Sequence, residues 1–145
     1  MFRIPKRISI IITQIFTGVI FILLVSGAMF LPRIIAKYFA EVHVLPCFII
    51  FYAVIAVAFV LLVVLHIFLN NIRRDEIFID QNVFYLRVIS WLCVLECIIF
   101  LALAYYFLVS YLLSFACLFL SAIIRVIKNV MEDATAIKNE NDYTI

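Results

Sequence analysis

From Val88 to Ile124 the chain runs 37 residues with a single charge, Glu96. As one helix, at about 1.5 Å per residue, that run would reach about 55 Å, nearly twice the roughly 30 Å hydrocarbon core of a bilayer. It must fold back on itself. Neither Gly nor Pro lies inside it, so the reversal falls on the aromatic and polar cluster from Tyr105-Tyr106-Phe107 to Ser110-Tyr111. Tyr rings favour the headgroup level, where the ring stays apolar and the hydroxyl wet. Two spans follow, about Val88–Phe107 and Val109–Ile127, joined by a tight hairpin.

Upstream, Ile8–Leu31 holds no charge across 24 residues and follows Arg3, Lys6 and Arg7. It is too long for the apolar region of a signal peptide and reads as an uncleaved anchor, although Val25-Ser26-Gly27-Ala28 resembles a small-residue cleavage site. Val44–Leu69 is a further span, with Pro46 in the first turn, where its missing N–H is no loss. The whole chain is 69% hydrophobic and 14% charged, against about 45–50% and about 25% in soluble domains. Within 145 residues, four spans of about 20 leave no room for a soluble domain of ordinary size. A secreted disulfide scaffold, a nucleic-acid-binding domain and a soluble enzyme are excluded as readings of the whole chain. The sequence predicts an all-α membrane protein, residues 1–145 forming one integral membrane domain. Its spans are 8–31, 44–69, 88–107 and 109–127, arranged as an antiparallel bundle.

Charge sets the orientation. Arg3, Lys6 and Arg7 precede the first span, Arg73, Arg74 and Arg87 follow the second, and Arg125, Lys128 and Lys138 follow the fourth. The loop Pro32–His43 carries only Arg33 and Lys37, with Glu41 and His43, and the final hairpin carries no cation. Nine of the eleven cations therefore fall on one side, which the positive-inside rule assigns to the cytoplasm. Both termini, the loop 70–87 and the tail 128–145 are expected there, in a multi-pass protein of the cell membrane.

Within the loop, Asp80 is placed to cap a helix starting at Gln81 and running into the third span, with Trp91 near the inner interface. Ile77 and Phe78 are apolar residues in charged surroundings. The fourth helix is expected to extend into the cytoplasm, because Ile123, Ile127, Val130, Ala134 and Ile137 recur at helical spacing. Arg125, Lys128, Glu132 and Asp133 occupy its other sides. Such a stripe needs a cover: the protein's own loop with Phe78, a partner helix, or a twin subunit in a homo-oligomer. The closing Glu140-Asn141-Asp142-Tyr143-Thr144-Ile145 suits a basic partner surface.

Inside the membrane, Glu96 stands near mid-depth, where an ionised carboxylate is costly. It is expected to be protonated, paired, or open to a wet cavity. Gln14, His66 and Ser121 are its candidate partners, and together they outline either a polar pocket or a packing hydrogen bond. Ser9, Thr13 and Thr17, beside Gly18, read as a small-residue stripe for close helix approach. Cys93 and Cys97 flank Glu96, but no Cys-x-x-Cys or His-rich pattern supports a metal site. Those two, Cys47 and Cys117 are expected to be free packing thiols. With two glycines there is no phosphate-cradling loop, and no protease arrangement appears, so neither catalysis nor a cofactor is expected.

Several segments carry a family resemblance. Asn71-Ile72-Arg73-Arg74-Asp75-Glu76-Ile77-Phe78 leads to Asn82 and then Leu86-Arg87-Val88-Ile89-Ser90-Trp91, followed by Arg125-Val126-Ile127-Lys128-Asn129-Val130 and the closing Glu-Asn-Asp-Tyr-Thr-Ile. Together they resemble the bacterial four-span family called domain of unknown function 2975. Members often have Gly where Asp75 or Glu76 stands here. The resemblance implies no catalysis. It implies a cytoplasmic partner, since genes of the family commonly neighbour one for a small helix-turn-helix regulator. The candidate interaction residues are Phe78, Asn82, Arg87, Trp91, Arg125, Lys128, Asn129, Glu140, Asp142, Thr144 and Ile145. The expected function is an interaction or regulatory protein without direct nucleic-acid binding. A transport or channel-like subunit built around Glu96 is the alternative, and a protective membrane factor has only generic support.

Overall fold

The computed structural model describes residues 6–38 and 44–144. It contains α1 (Lys6–Tyr38), α2 (Val44–Arg73), α3 (Asp80–Ala104) and α4 (Ser110–Tyr143), with no strand among the described residues. Each helix is long and apolar enough to cross a membrane. Arg3, Glu41, His43 and Ile145, which the sequence reading used, lie outside the described residues. Helix is the state such segments adopt because lipid offers the backbone no hydrogen-bond partner, so every N–H and C=O is satisfied within the segment.

α1 runs on past Leu31, through Pro32, to Tyr38, where the sequence predicts a loop. A proline inside a helix removes the N–H that would reach the carbonyl four residues earlier, here that of Ala28. The Tyr52 hydroxyl on α2 donates to that carbonyl at 3.3 Å. A neighbouring helix thus replaces the missing donor, which is how prolines are tolerated within membrane helices.

Packing follows chain order: α1 lies against α2, α2 against α3, and α3 most extensively against α4. α3 is therefore the central helix and has the largest buried share of the four. Leu86, Ser90, Cys93 and Cys97 are buried on α3; Ser90 meets Ser121 and Cys97 meets Ser114 of α4, with half-buried Cys117 between those serines. Ser90, Cys93 and Cys97 repeat the spacing of Ser114, Cys117 and Ser121, three residues then four. That is the seam of a heptad, built from small side chains that let two backbones approach. Outside these seams, large apolar side chains such as Ile22, Met29, Leu45 and Phe115 are exposed and turn outward to lipid.

At the hairpin end, Leu31, Ile35 and Cys47 form a small core, packed by Phe51 and by Tyr106 of the α3–α4 turn. Phe107 meets Phe51 edge-on, with centroids 6.0 Å apart. The turn lies between Ala104 and Ser110, where the sequence predicts the reversal. Its backbone closes by bonds from Tyr106 and Phe107 N–H to the Leu103 carbonyl.

At the other end, α2 passes to α3 through a short connection. Asp75 there has φ 63°, in the left-handed region that glycine enters freely and that Asp tolerates better than most residues. This is one of the two positions at which the family resemblance admits Gly. Asn82 ties the connection together. Its amide donates to the carbonyls of Glu76 at 2.7 Å and Ile77 at 2.8 Å, and its Oδ1 accepts from Asn71 at 2.9 Å. The start of α3 differs from expectation. Ile79, with extended backbone, is the cap residue and no side chain caps the helix; Asp80 is the first residue of the first turn. Its carboxylate still lies at the positive end of the helix dipole.

Candidate functional site

The α3–α4 seam determines which polar side chains meet at the connection end. Ser121 donates to the Ser90 carbonyl at 2.9 Å and Ser90 can donate to the Ser121 carbonyl at 3.2 Å. One register step away, Ser114 donates to the Cys97 carbonyl at 3.0 Å. With that register locked, the two cations flanking the apolar hairpin, Arg87 before it and Arg125 after it, come to the same end of the antiparallel pair. Arg87, Ser90 and Trp91 of α3 and Arg125, Lys128 and Asn129 of α4 line one cavity of about 220 Å³. The Arg125 guanidinium lies 5.1 Å from the Trp91 ring centroid, a cation–π distance. Trp91 itself is 60% exposed.

Acids border this cluster too, since Asp80 and Glu132 share a neighbouring hollow with Arg87. Glu132 accepts from Lys128 one turn earlier and meets Arg87 across the helices at 3.5 Å. The Lys128 hydrogen bond and charge, with Arg87 adding a smaller share, hold the Glu132 carboxyl below its ordinary range. The Lys128 side chain is only 14% exposed, so its charge is held in place rather than free in water. Five of the sequence-named interaction residues, Arg87, Trp91, Arg125, Lys128 and Asn129, are thus brought together. Glu132 was legible as the acid four residues after Lys128, but its bridge to Arg87 needed the tertiary register.

The remaining interaction candidates divide. Phe78 lines an apolar hollow of about 240 Å³ with Val126, Ile127, Val130, Met131 and Ala134, and its carbonyl accepts from Lys138 at 3.4 Å. The loop therefore borders part of the α4 extension, while Val130 and Ile137 remain 64% and 60% exposed. Glu140, Asp142 and Thr144 are exposed, the Thr144 hydroxyl folding back on the carbonyls of Glu140 and Asn141. Asn82 is completely buried. All three of its side-chain bonds serve the α2–α3 connection, so it is a structural knot and offers nothing to a partner.

The intramembrane candidates do not assemble into one pocket. Both carboxyl oxygens of buried Glu96 lack a hydrogen-bond partner. Ser121 is engaged with Ser90. Gln14 accepts from Arg73 at 3.5 Å, which links α1 to the end of α2. Exposed His66 borders a hollow of about 320 Å³ between α1 and α2 with Thr17, Gly18 and Phe21. The expected small-residue approach at Gly18 is also absent, since a Cβ there would meet nothing within 4 Å. The hydroxyls of Thr13 and Thr17 instead bond back to the carbonyls of Ser9 and Thr13. The four cysteines are free thiols, and no cluster of metal-ligating side chains occurs among the described residues.

Four membrane-length helices joined by short connections, with charge gathered at helix ends, define a multi-pass α-helical membrane protein. The chain belongs to the family described as Protein of unknown function (DUF2975), whose pattern matches residues 34–145. No curated protein and no solved structure matches it.

Proposed function

We propose that the protein is a membrane-anchored interaction protein without catalytic activity, with both termini and the α2–α3 connection in the cytoplasm. The distribution of cations supports that orientation, nine of eleven lying at the termini and in the 70–87 region. The observation that carries the function is the length of α4. It continues unbroken from the apolar segment to Tyr143, and beyond Ile127 its outer face exposes Val130 and Ile137. Acidic Glu140 and Asp142 follow. An exposed apolar stripe continued by acids suits a partner that presents an apolar groove with a basic rim. Following the family association, that partner is a small helix-turn-helix regulator held at the membrane. Transport has weaker support, because the polar residues around Glu96 are dispersed and each of the others has its own neighbours.

Affinity purification of the full chain in mild detergent, beside a chain lacking residues 138–145 and a Val130→Asp variant, tests this reading. The reading predicts that a cytoplasmic protein co-purifies with the full chain and is lost with both variants while all three insert. If the truncated chain keeps every partner of the full chain, the extension is no docking site. Recovery of a second copy of the chain alone would replace the regulator with self-association.

A further inference from the structure

We propose that the cavity between α3 and α4 is a binding site for the phosphate of an anionic lipid headgroup. This inference does not depend on a protein partner for the α4 extension. It rests on the meeting of three cations from two helices, Arg87, Arg125 and Lys128, around one cavity of about 220 Å³ that Asn129 and Ser90 also line.

Depth is the first argument. Arg87 and Arg125 immediately flank the apolar run Val88–Ile124, so the cavity lies where hydrocarbon gives way to headgroups. Trp91, half exposed on the same face as Arg87, is the residue type that occupies that level. Its ring sits 5.1 Å from the Arg125 guanidinium carbon and holds the cation in place with its N–H donors available. A planar guanidinium suits the oxygens of a phosphate, and a second one with an ammonium completes a cradle.

Charge is the second argument. Glu132 is the carboxylate in contact with the cluster, and it engages Lys128 and Arg87. With Asp80, which shares a neighbouring hollow with Arg87 and Glu132, two acids stand against three cations and still leave the site net positive, which favours an anionic headgroup over a zwitterionic one. Basic pockets between membrane helices at the water boundary are used in this way for lipid phosphates.

Shape is the third. Toward the bilayer centre, the faces of both helices below the cations are exposed and apolar: Leu95 and Ile98 follow Trp91 on α3, and Leu118 precedes Arg125 on α4. An amphiphile fits this surface, with its phosphate in the cavity and acyl chains along the helices. A free phosphate ion shares the headgroup chemistry but gains nothing from the apolar faces, and an acidic peptide would have to enter at headgroup depth.

Native mass spectrometry of the full chain in non-ionic detergent tests the assignment, with added phosphatidylglycerol or phosphatidylcholine. The unmodified chain should retain phosphatidylglycerol in preference to phosphatidylcholine. Arg87→Gln, Arg125→Gln and Lys128→Gln should each weaken retention about five-fold, the effect of one basic residue at a membrane surface. Glu132→Gln frees two of the cations and should strengthen it, a change of opposite sign that misfolding could not imitate. Arg33→Gln, remote from the cavity on α1, should have no effect, and excess inorganic phosphate should not displace the lipid. Equal retention of the two lipids, or an equal loss with Arg33→Gln, overturns the proposal in favour of generic charge attraction. Displacement by inorganic phosphate overturns it in favour of a soluble-anion site.

Discussion

The Tyr52 hydroxyl donates to the Ala28 carbonyl at 3.3 Å, the acceptor that Pro32 leaves without its helical N–H. The bond therefore repairs α1 from outside. Tyr52→Phe should destabilise the protein by about 0.5–1.5 kcal/mol, the range for interhelical hydrogen bonds in membrane proteins. In a Pro32→Ala background, where the introduced alanine supplies its own N–H, the same substitution should cost almost nothing. Thermal unfolding of the four chains in detergent measures this coupling, and equal losses in both backgrounds would show that Tyr52 acts only through packing.

The Ser90–Ser121 rung joins two helices whose close approach depends on small side chains. Ser121→Ala removes a hydroxyl and should cost about 1 kcal/mol. Ser121→Leu forces a large side chain into the seam and should cost about 1–3 kcal/mol. Equal stability of the Ala and Leu variants would mean that the helices are not close-packed there.

Asn82 satisfies two carbonyls and one side-chain amide in the α2–α3 connection. Its replacement by Ala strands these groups, at a cost of about 2–4 kcal/mol. Limited trypsin digestion should then cut faster after exposed Arg73 and Arg74. An unchanged cleavage rate would show that the connection holds its shape without Asn82.

At Asp75, φ is 63°. Asp75→Val places a β-branched residue in the left-handed region and should cost about 1–2 kcal/mol, whereas Asp75→Gly should be tolerated. Comparable melting temperatures for the two variants would contradict a left-handed turn.

Glu96 offers two buried carboxyl oxygens with no hydrogen-bond partner, so exchange for the neutral amide, which is nearly the same shape, removes no hydrogen bond. Glu96→Gln should keep insertion intact and stability within about 0.5 kcal/mol of the parent. Loss of partner binding by this variant, with its fold preserved, would instead assign the carboxyl a charge-dependent role.

For the proposed orientation, a cysteine at Asn141 should resist a membrane-impermeant thiol reagent applied to intact cells and react once the cells are opened. Labelling of intact cells above the level of the parent chain refutes the cytoplasmic tail.

Four spans, the folded-back hairpin and the continuation of the last helix are legible in the sequence, because each is a property of local composition and length. A charge-free stretch of sufficient length must cross or lie in lipid, and a stretch nearly twice that length must turn. Which faces meet is not written in the same way. When every side of a helix is apolar, hydrophobic periodicity no longer marks the packed side, and small residues set the seam instead. Ser121 therefore suggests a partner for Glu96 in the sequence, whereas the α3–α4 register delivers it to Ser90. Pro32 reads as the end of a helix, and only Tyr52 on a neighbouring helix allows α1 to continue. Asn82 reads as a candidate interaction residue, but the carbonyls of Glu76 and Ile77 in the connection before it draw its amide inward. Arg87 and Arg125 are two separate boundary charges in one dimension. Antiparallel closure of the run between them turns those boundaries into one basic cavity beside Trp91 and Lys128.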